Sequence, residues 1–164
     1  MKPQAPDTDD YDVSPSAAGD LAEADLAECI RLVTEGNAVD PKYAKRDLPR
    51  ALVVAVARKG GQIVGVGTIK PVRREYASGI AVKSGVPFSP DTPELGYVSV
   101  HPDHQGKRLS HRLVEALQSI STKTLFATTS SDRMKATLTK AGFVQRGNEW
   151  KGRRQGQLSL WMKE

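Results

Sequence analysis

The chain has 164 residues, a net charge of +5, 38% hydrophobic residues and 26% charged residues, enough for one core and too few for a second domain. A single cysteine, Cys29, excludes an internal disulfide framework and any cysteine-rich metal site. No apolar run approaches the ~20 residues that span a bilayer, so no membrane partner is expected.

Residues 1–19 are rich in Pro, Asp, Ser and Ala without an apolar period. They predict a flexible acidic arm, with one short strand near residues 11–13. An N-terminus this acidic fits neither a signal nor a transit peptide, so the cytoplasm is the expected compartment. The folded domain is expected over residues 20–164. Asp20-Leu21-Ala22-Glu23 matches a capping box. Ala22, Leu26, Cys29, Ile30 and Val33 then recur at helical spacing, with Gly36 where a C-cap belongs. Cys29 on that stripe reads as core filler. Residues 41–50 predict a further helical turn. The β-type runs at 51–58 and 63–70 flank Lys59-Gly60-Gly61-Gln62 and predict an antiparallel hairpin.

The connection at 71–93 is long, and connections of that length are often functional. Residues 73–84 predict a helix ended by Gly85, and Pro87, Pro90 and Pro93 argue against regular structure after it. Residues 94–100 predict a strand that Pro102 cannot continue. Leu109, Leu113, Ala116, Leu117 and Ile120 mark a one-faced helix over 107–121. A short strand at 125–128, a helix at 132–141 capped by Gly142, and closing strands at 143–146 and 157–162 follow. A basic turn with Lys151, Arg153 and Arg154 joins the last two. This order predicts an α/β (mixed α+β) domain, a mixed sheet with helices on both faces.

Charge is divided along the chain. Residues 1–28 carry eight acids against Lys2, and the rest of the chain is strongly basic. A basic body takes an anionic partner such as nucleic acid or a phosphorylated cofactor, or is simply a solvated face. The segment His101-Pro102-Asp103-His104-Gln105-Gly106-Lys107-Arg108-Leu109-Ser110 narrows that choice. Here a strand ends and a helix begins, and the helix presents unpaired N–H groups and a partial positive charge. Lys107 and Arg108 are unfavourable there unless an anion compensates them, and Gly106 allows close approach to the backbone. Together these predict a phosphate site. The GxxxxGK[ST] and GxGxxG spacings are both absent. His101, His104 and His111 show no metal-ligand spacing, so no metal is expected.

Glu94-Leu95-Gly96-Tyr97-Val98-Ser99-Val100-His101-Pro102 followed by Gln105-Gly106-Lys107-Arg108-Leu109-Ser110 resembles the GNAT superfamily of acetyl-CoA-dependent N-acyltransferases. It is similar to that family's fourth strand and its Q/R-x-x-G-x-G/A pyrophosphate loop. Lys140-Ala141-Gly142-Phe143 is similar to a second family motif, and the element order from about 20 to 162 also fits. The resemblance implies a GNAT-like single domain with a mostly antiparallel sheet, and acetyl-CoA as co-substrate. It implies cofactor contacts from the backbone of Val98 and Val100, from Gln105, Gly106, Lys107, Arg108, Leu109 and Ser110, and from Ser131. Helix capping is the alternative role for Ser131.

It also implies that Glu94 is the base, the alternative being a carboxylate that opens the strand at a wet edge. In a regular strand Tyr97 would face away from Glu94 and pack in the core. The chain departs from the pattern in three places. Arg108 stands at the loop's glycine position, Ser110 at its Gly/Ala position, and Leu138 where the family often has a tyrosine acid. The expected function is acetyl transfer to a primary amine of a small molecule or protein. The alternatives are a non-catalytic CoA-binding module and a transferase directed at charged tRNA. Closing strands in this superfamily often support dimers, so a homodimer is a further expectation.

Overall fold

The structure is a computed structural model and describes residues 10–36, 40–121, 123–152 and 156–164. In chain order the elements are β1 (Asp12–Ser16), α1 (Glu23–Gly36), α2 (Pro41–Asp47), β2 (Val53–Lys59), β3 (Gln62–Lys70), α3 (Arg74–Ser84), β4 (Glu94–Val100), α4 (Leu109–Ser119), β5 (Leu125–Thr129), α5 (Asp132–Lys140), β6 (Val144–Lys151) and β7 (Gln157–Lys163). The strands form one sheet in the order β1-β2-β3-β4-β5-β7-β6. Every neighbouring pair is antiparallel except β4 and β5. This is the mixed, mostly antiparallel sheet expected from the sequence.

The β2–β3 hairpin turns at Gly60 and Gly61, whose φ values of 58 and 82 are the two positive angles of a tight hairpin turn. Helices α1 and α2 cover one face of the sheet through Cys29, Leu32, Val33 and Ala44, which pack with Val54, Val56 and Val66. Helix α4 covers the other face through Leu109, Leu113 and Leu117, joined by Leu138 from α5. Ile80 of α3 packs with Phe126, Leu160 and Met162 of β5 and β7.

Two sequence expectations are corrected here. The acidic arm is not an arm from Asp12 onward, because β1 pairs along its whole length with β2 and Tyr11 is buried. An edge strand needs few apolar side chains and tolerates Pro15, whose missing N–H leaves only one side of the ladder short. Residues 1–9 of the expected arm lie outside the described residues. The capping box does not form either. Asp20 ends a short 3₁₀ turn, Leu21 is extended, and α1 starts at Glu23. Ala18 in that turn is buried in the α1–α2 cluster, so packing sets the entry into the helix. Of the expected basic turn, Lys151 ends β6, and Arg153 and Arg154 lie outside the described residues.

Two irregularities in β4 position the site. Val66 pairs with Ser99 and Thr68 with Gly96, so Gly67 faces both Tyr97 and Val98 across a bulge. Tyr97 takes φ 52 there. On its other side β4 meets β5 only at Glu94 and Phe126, and beyond that pair the two parallel strands separate.

The last turn of α1 packs tightly against this strand. A Cβ at Gly36 would lie 2.2 Å from Ser99 Oγ, and that hydroxyl donates to the Leu32 carbonyl at 2.9 Å. Gly36→Ala is therefore expected to displace the serine, break its buried hydrogen bond and cost about 1–3 kcal/mol. Urea denaturation checks this, and an unchanged midpoint contradicts it.

Candidate active site

Where β4 parts from β5 the protein holds an open cleft of about 1870 Å³. The start of α4 closes one end of it and Glu94 stands at the other.

The α4 end is made by the loop after β4. His101 N–H donates to the Val64 carbonyl at 2.8 Å, His101 Nδ1 accepts from Asp103 N–H at 3.1 Å, and Gln105 Nε2 donates to the Val100 carbonyl at 3.2 Å. These bonds hold the loop from behind. Gly106 has φ 81, and no atom lies within 4 Å of where its Cβ would be. Arg108 is the N-cap residue of α4 in the left-handed conformation, φ 61 and ψ 22, with no side-chain cap. Its conformation gives a physical reason for glycine at this place in the resembled pattern, since a side chain there costs about 1–2 kcal/mol.

An uncapped helix start, open space over a glycine and a guanidinium at the N-cap suit a diphosphate. Of the predicted cofactor residues, Val98, Val100, Gln105, Gly106, Arg108, Leu109, Ser110 and Ser131 line the cleft, and Lys107 does not. The Leu109 side chain is buried in the core, so only its main chain can serve the site. Ser131 lines the cleft and also caps α5, its Oγ accepting from Met134 N–H at 3.2 Å. Leu138 lies on the buried face of α5 and offers no proton.

At the other end Glu94 is only 6% exposed, which overturns the wet-edge alternative. Lys70, its cross-strand neighbour, places Nζ 2.9 Å from Oε1. The Tyr76 hydroxyl on α3 donates to Oε2 at 2.9 Å. The expectation for Tyr97 is corrected as well, because it assumed a regular strand. The bulge brings its ring under Lys70, with Nζ 4.8 Å from the centroid. Its hydroxyl donates to Asp47 Oδ2 at 2.8 Å, and Arg46 Nε donates to the other oxygen of Asp47 at 2.8 Å. Lys70, Tyr76 and Asp47 are functional candidates that sequence reasoning missed. Their one local signal was a helix-forming stretch in a long connection, which placed Tyr76 near the site but named no partner.

Burial raises the Tyr76 phenol well above its ordinary value, and the adjacent Glu94 charge adds to this. Burial likewise raises Tyr97, helped by its bond to Asp47. Burial works against ionised Asp47, but the hydrogen bonds from Arg46 and Tyr97 outweigh it and the carboxyl titrates low. Burial pushes the Cys29 thiol up to about 12, in keeping with core filler. Between their unfolded and folded values the two phenols hold protons more tightly in the folded protein. The stability they supply is full below about pH 10 and falls as pH rises further. Tyr97→Phe is expected to flatten that alkaline loss, read by urea denaturation between pH 8 and 11. An unaltered slope contradicts the assignment.

The His101 and His104 rings meet edge to face at 5.7 Å. His104 Nδ1 lies 2.9 Å from the Tyr11 hydroxyl, and His111 Nε2 lies 2.6 Å from Glu115. Among the described residues no three metal-ligating side chains come together, and no helix is long and apolar enough to cross a membrane.

The family model described as the acetyltransferase (GNAT) family matches residues 21–143. An acyl-CoA N-acyltransferase from Pseudomonas aeruginosa is 18% identical, with a TM-score of 0.65 over 94% of this chain and 99% of that one. A GNAT family acetyltransferase from Streptococcus agalactiae is 12% identical, with a TM-score of 0.68 over 92% and 94%. A GNAT family acetyltransferase from Elizabethkingia anophelis, with acetyl-CoA bound, is 15% identical, with a TM-score of 0.62 over 95% and 99%. No curated protein matches the sequence.

Proposed function

The chain belongs to the GNAT acetyltransferase family, and from that premise we propose that it moves an acetyl group from acetyl-CoA to a primary amine within a ternary complex. Acyl transfer and acetyl-CoA as co-substrate come with the family; the amine, the direct transfer and the residue roles are the proposal. The observation that carries it is one cleft with an uncapped helix start at one end and a buried, ion-paired carboxylate at the other.

Acetyl-CoA supplies an activated acyl carbon. The protein's own residues do the rest. Beyond the Glu94–Phe126 pair the described residues of β4 and β5 form no further ladder, which leaves room between the two strands for an extended ligand arm. The α4 N–H groups and Arg108 hold the phosphates. An amine with an ordinary pKa near 10.4 is protonated at neutral pH, so its proton must be taken before it attacks. Glu94 accepts that proton, directly or through one water. As the C–N bond forms, the C–S bond breaks and its electron pair leaves on sulfur. A thiol with a pKa near 8.5 leaves readily, and solvent supplies its proton, so Leu138 in place of a tyrosine does not prevent the reaction.

The test is incubation with acetyl-CoA and a panel of primary amines while free thiol is followed. Amine-dependent thiol release is expected. If acetyl-CoA raises the melting temperature but no amine releases thiol, the protein is a CoA-binding module without transferase chemistry.

A further inference from the structure

Cations outnumber acids along the cleft. Its acidic lining consists of Asp47, Glu75 and Glu94 among the described residues. Two of these are already paired, Asp47 with Arg46 at 2.8 Å and Glu94 with Lys70 at 2.9 Å. Other cations line the cleft as well, Lys140 and Lys151 among them. Arg108 lines the end where α4 begins, and Arg133 follows the cleft-lining Ser131 in the first turn of α5. Coenzyme A carries all its phosphates at its nucleotide end, and they account for this group.

Arg50, Arg73 and Lys83 also line the cleft, and those phosphates do not account for them. The Leu52 N–H bonds to the Ile69 carbonyl at 2.8 Å, which brings the turn holding Arg50 beside the end of β3. Lys70 is in register with Glu94, so Arg73, three residues further on, stands at the Glu94 end of β4. The seven residues of β4 extend roughly 20 Å at about 3.3 Å per residue, and that length separates this end from α4. Neither Arg50 nor Arg73 makes an ion pair or side-chain hydrogen bond with any described residue. Among the described residues Glu75 is the one acid of the lining without an ion pair.

We propose that the acceptor is an amine that also carries an anionic group, a carboxylate or a phosphate, bound by Arg50 and Arg73 with its amine turned toward Glu94. The proposal rests on the transferase reading above and names its acceptor class. A guanidinium presents a planar fork of donors that matches either anion with two parallel bonds. The same field disfavours polycations such as spermidine and lysine-rich peptides.

Binding tests this independently of turnover. The full chain, saturated with coenzyme A, is titrated calorimetrically with matched probes: L-amino acids against their carboxamides, phosphoethanolamine against ethanolamine, and spermidine. The carboxylate and phosphate pairs distinguish the two anions. At least one anionic probe is expected to bind tenfold or more tightly than its neutral twin, and an Arg50→Ala/Arg73→Ala variant is expected to lose that preference. The variant's melting shift with acetyl-CoA, equal to the parent's, shows that it is folded. The proposal is overturned if neutral twins or spermidine bind as well, if no probe binds at millimolar concentration, or if the variant keeps the preference. Thiol release with the same probes is read separately. An anionic preference without thiol release leaves the subsite standing and removes the transferase reading.

Discussion

Glu94→Gln is expected to lower kcat/KM by about 10²–10⁴, the usual contribution of a positioned base, while the melting shift caused by acetyl-CoA persists. Glutamine keeps a carbonyl that can accept from Tyr76 or Lys70, so the shape of the site survives and only the capacity to take a proton is lost. The substitution also leaves the Lys70 ammonium without its counter-ion. The two side chains are 10% and 8% exposed, and removing one partner of a buried pair costs about 3–5 kcal/mol. A lower melting temperature should therefore accompany the lost activity. Adding Lys70→Met to Glu94→Gln removes the orphaned charge and should restore much of the stability but none of the rate. Thiol release and thermal melting of the two variants separate these effects. A Glu94→Gln protein within twofold of the parent's rate would remove Glu94 from the chemistry.

Arg108 carries the second large effect, and its two roles can be pulled apart. Its left-handed backbone is strained by about 1–2 kcal/mol, and its guanidinium stands at the helix start. Arg108→Gly is expected to raise the melting temperature of the ligand-free protein, because glycine adopts the same angles without strain. It should also weaken acetyl-CoA binding by roughly 10–100-fold, since a hydrogen bond to a charged group contributes about 1.5–3 kcal/mol. Arg108→Glu keeps the strain and opposes the phosphates, so it should weaken binding further than glycine does. Calorimetric titration with acetyl-CoA measures both. Tighter binding by Arg108→Gly would mean that the side chain shields the loop rather than holding the ligand.

Much of the fold was legible in local patterns. Paired glycines marked the hairpin turn, three leucines at helical spacing marked α4, and the strand–loop–helix at 94–110 marked the anion end of the cleft. These signals are short-range, because side-chain period, turn angles and helix ends depend on a few consecutive residues. The boundary of α1 and the strand at the N-terminus were less legible, since a 3₁₀ turn packed by Ala18 and an edge strand of few apolar residues leave no strong period.

By itself the sequence determined the strand and helix types and the helix start that suits phosphate, and its resemblance to a known family singled out Glu94 as the carboxylate to examine. Tertiary structure alone decided what surrounds Glu94. Tyr76 lies 18 residues away and Asp47 lies 50 residues from Tyr97, and both meet the site through packing. The bulge at Tyr97 reverses which side chains share a face, and a change of one residue in register does that to every position beyond it. Register between distant strands depends on how the whole core closes, and no local pattern carries it.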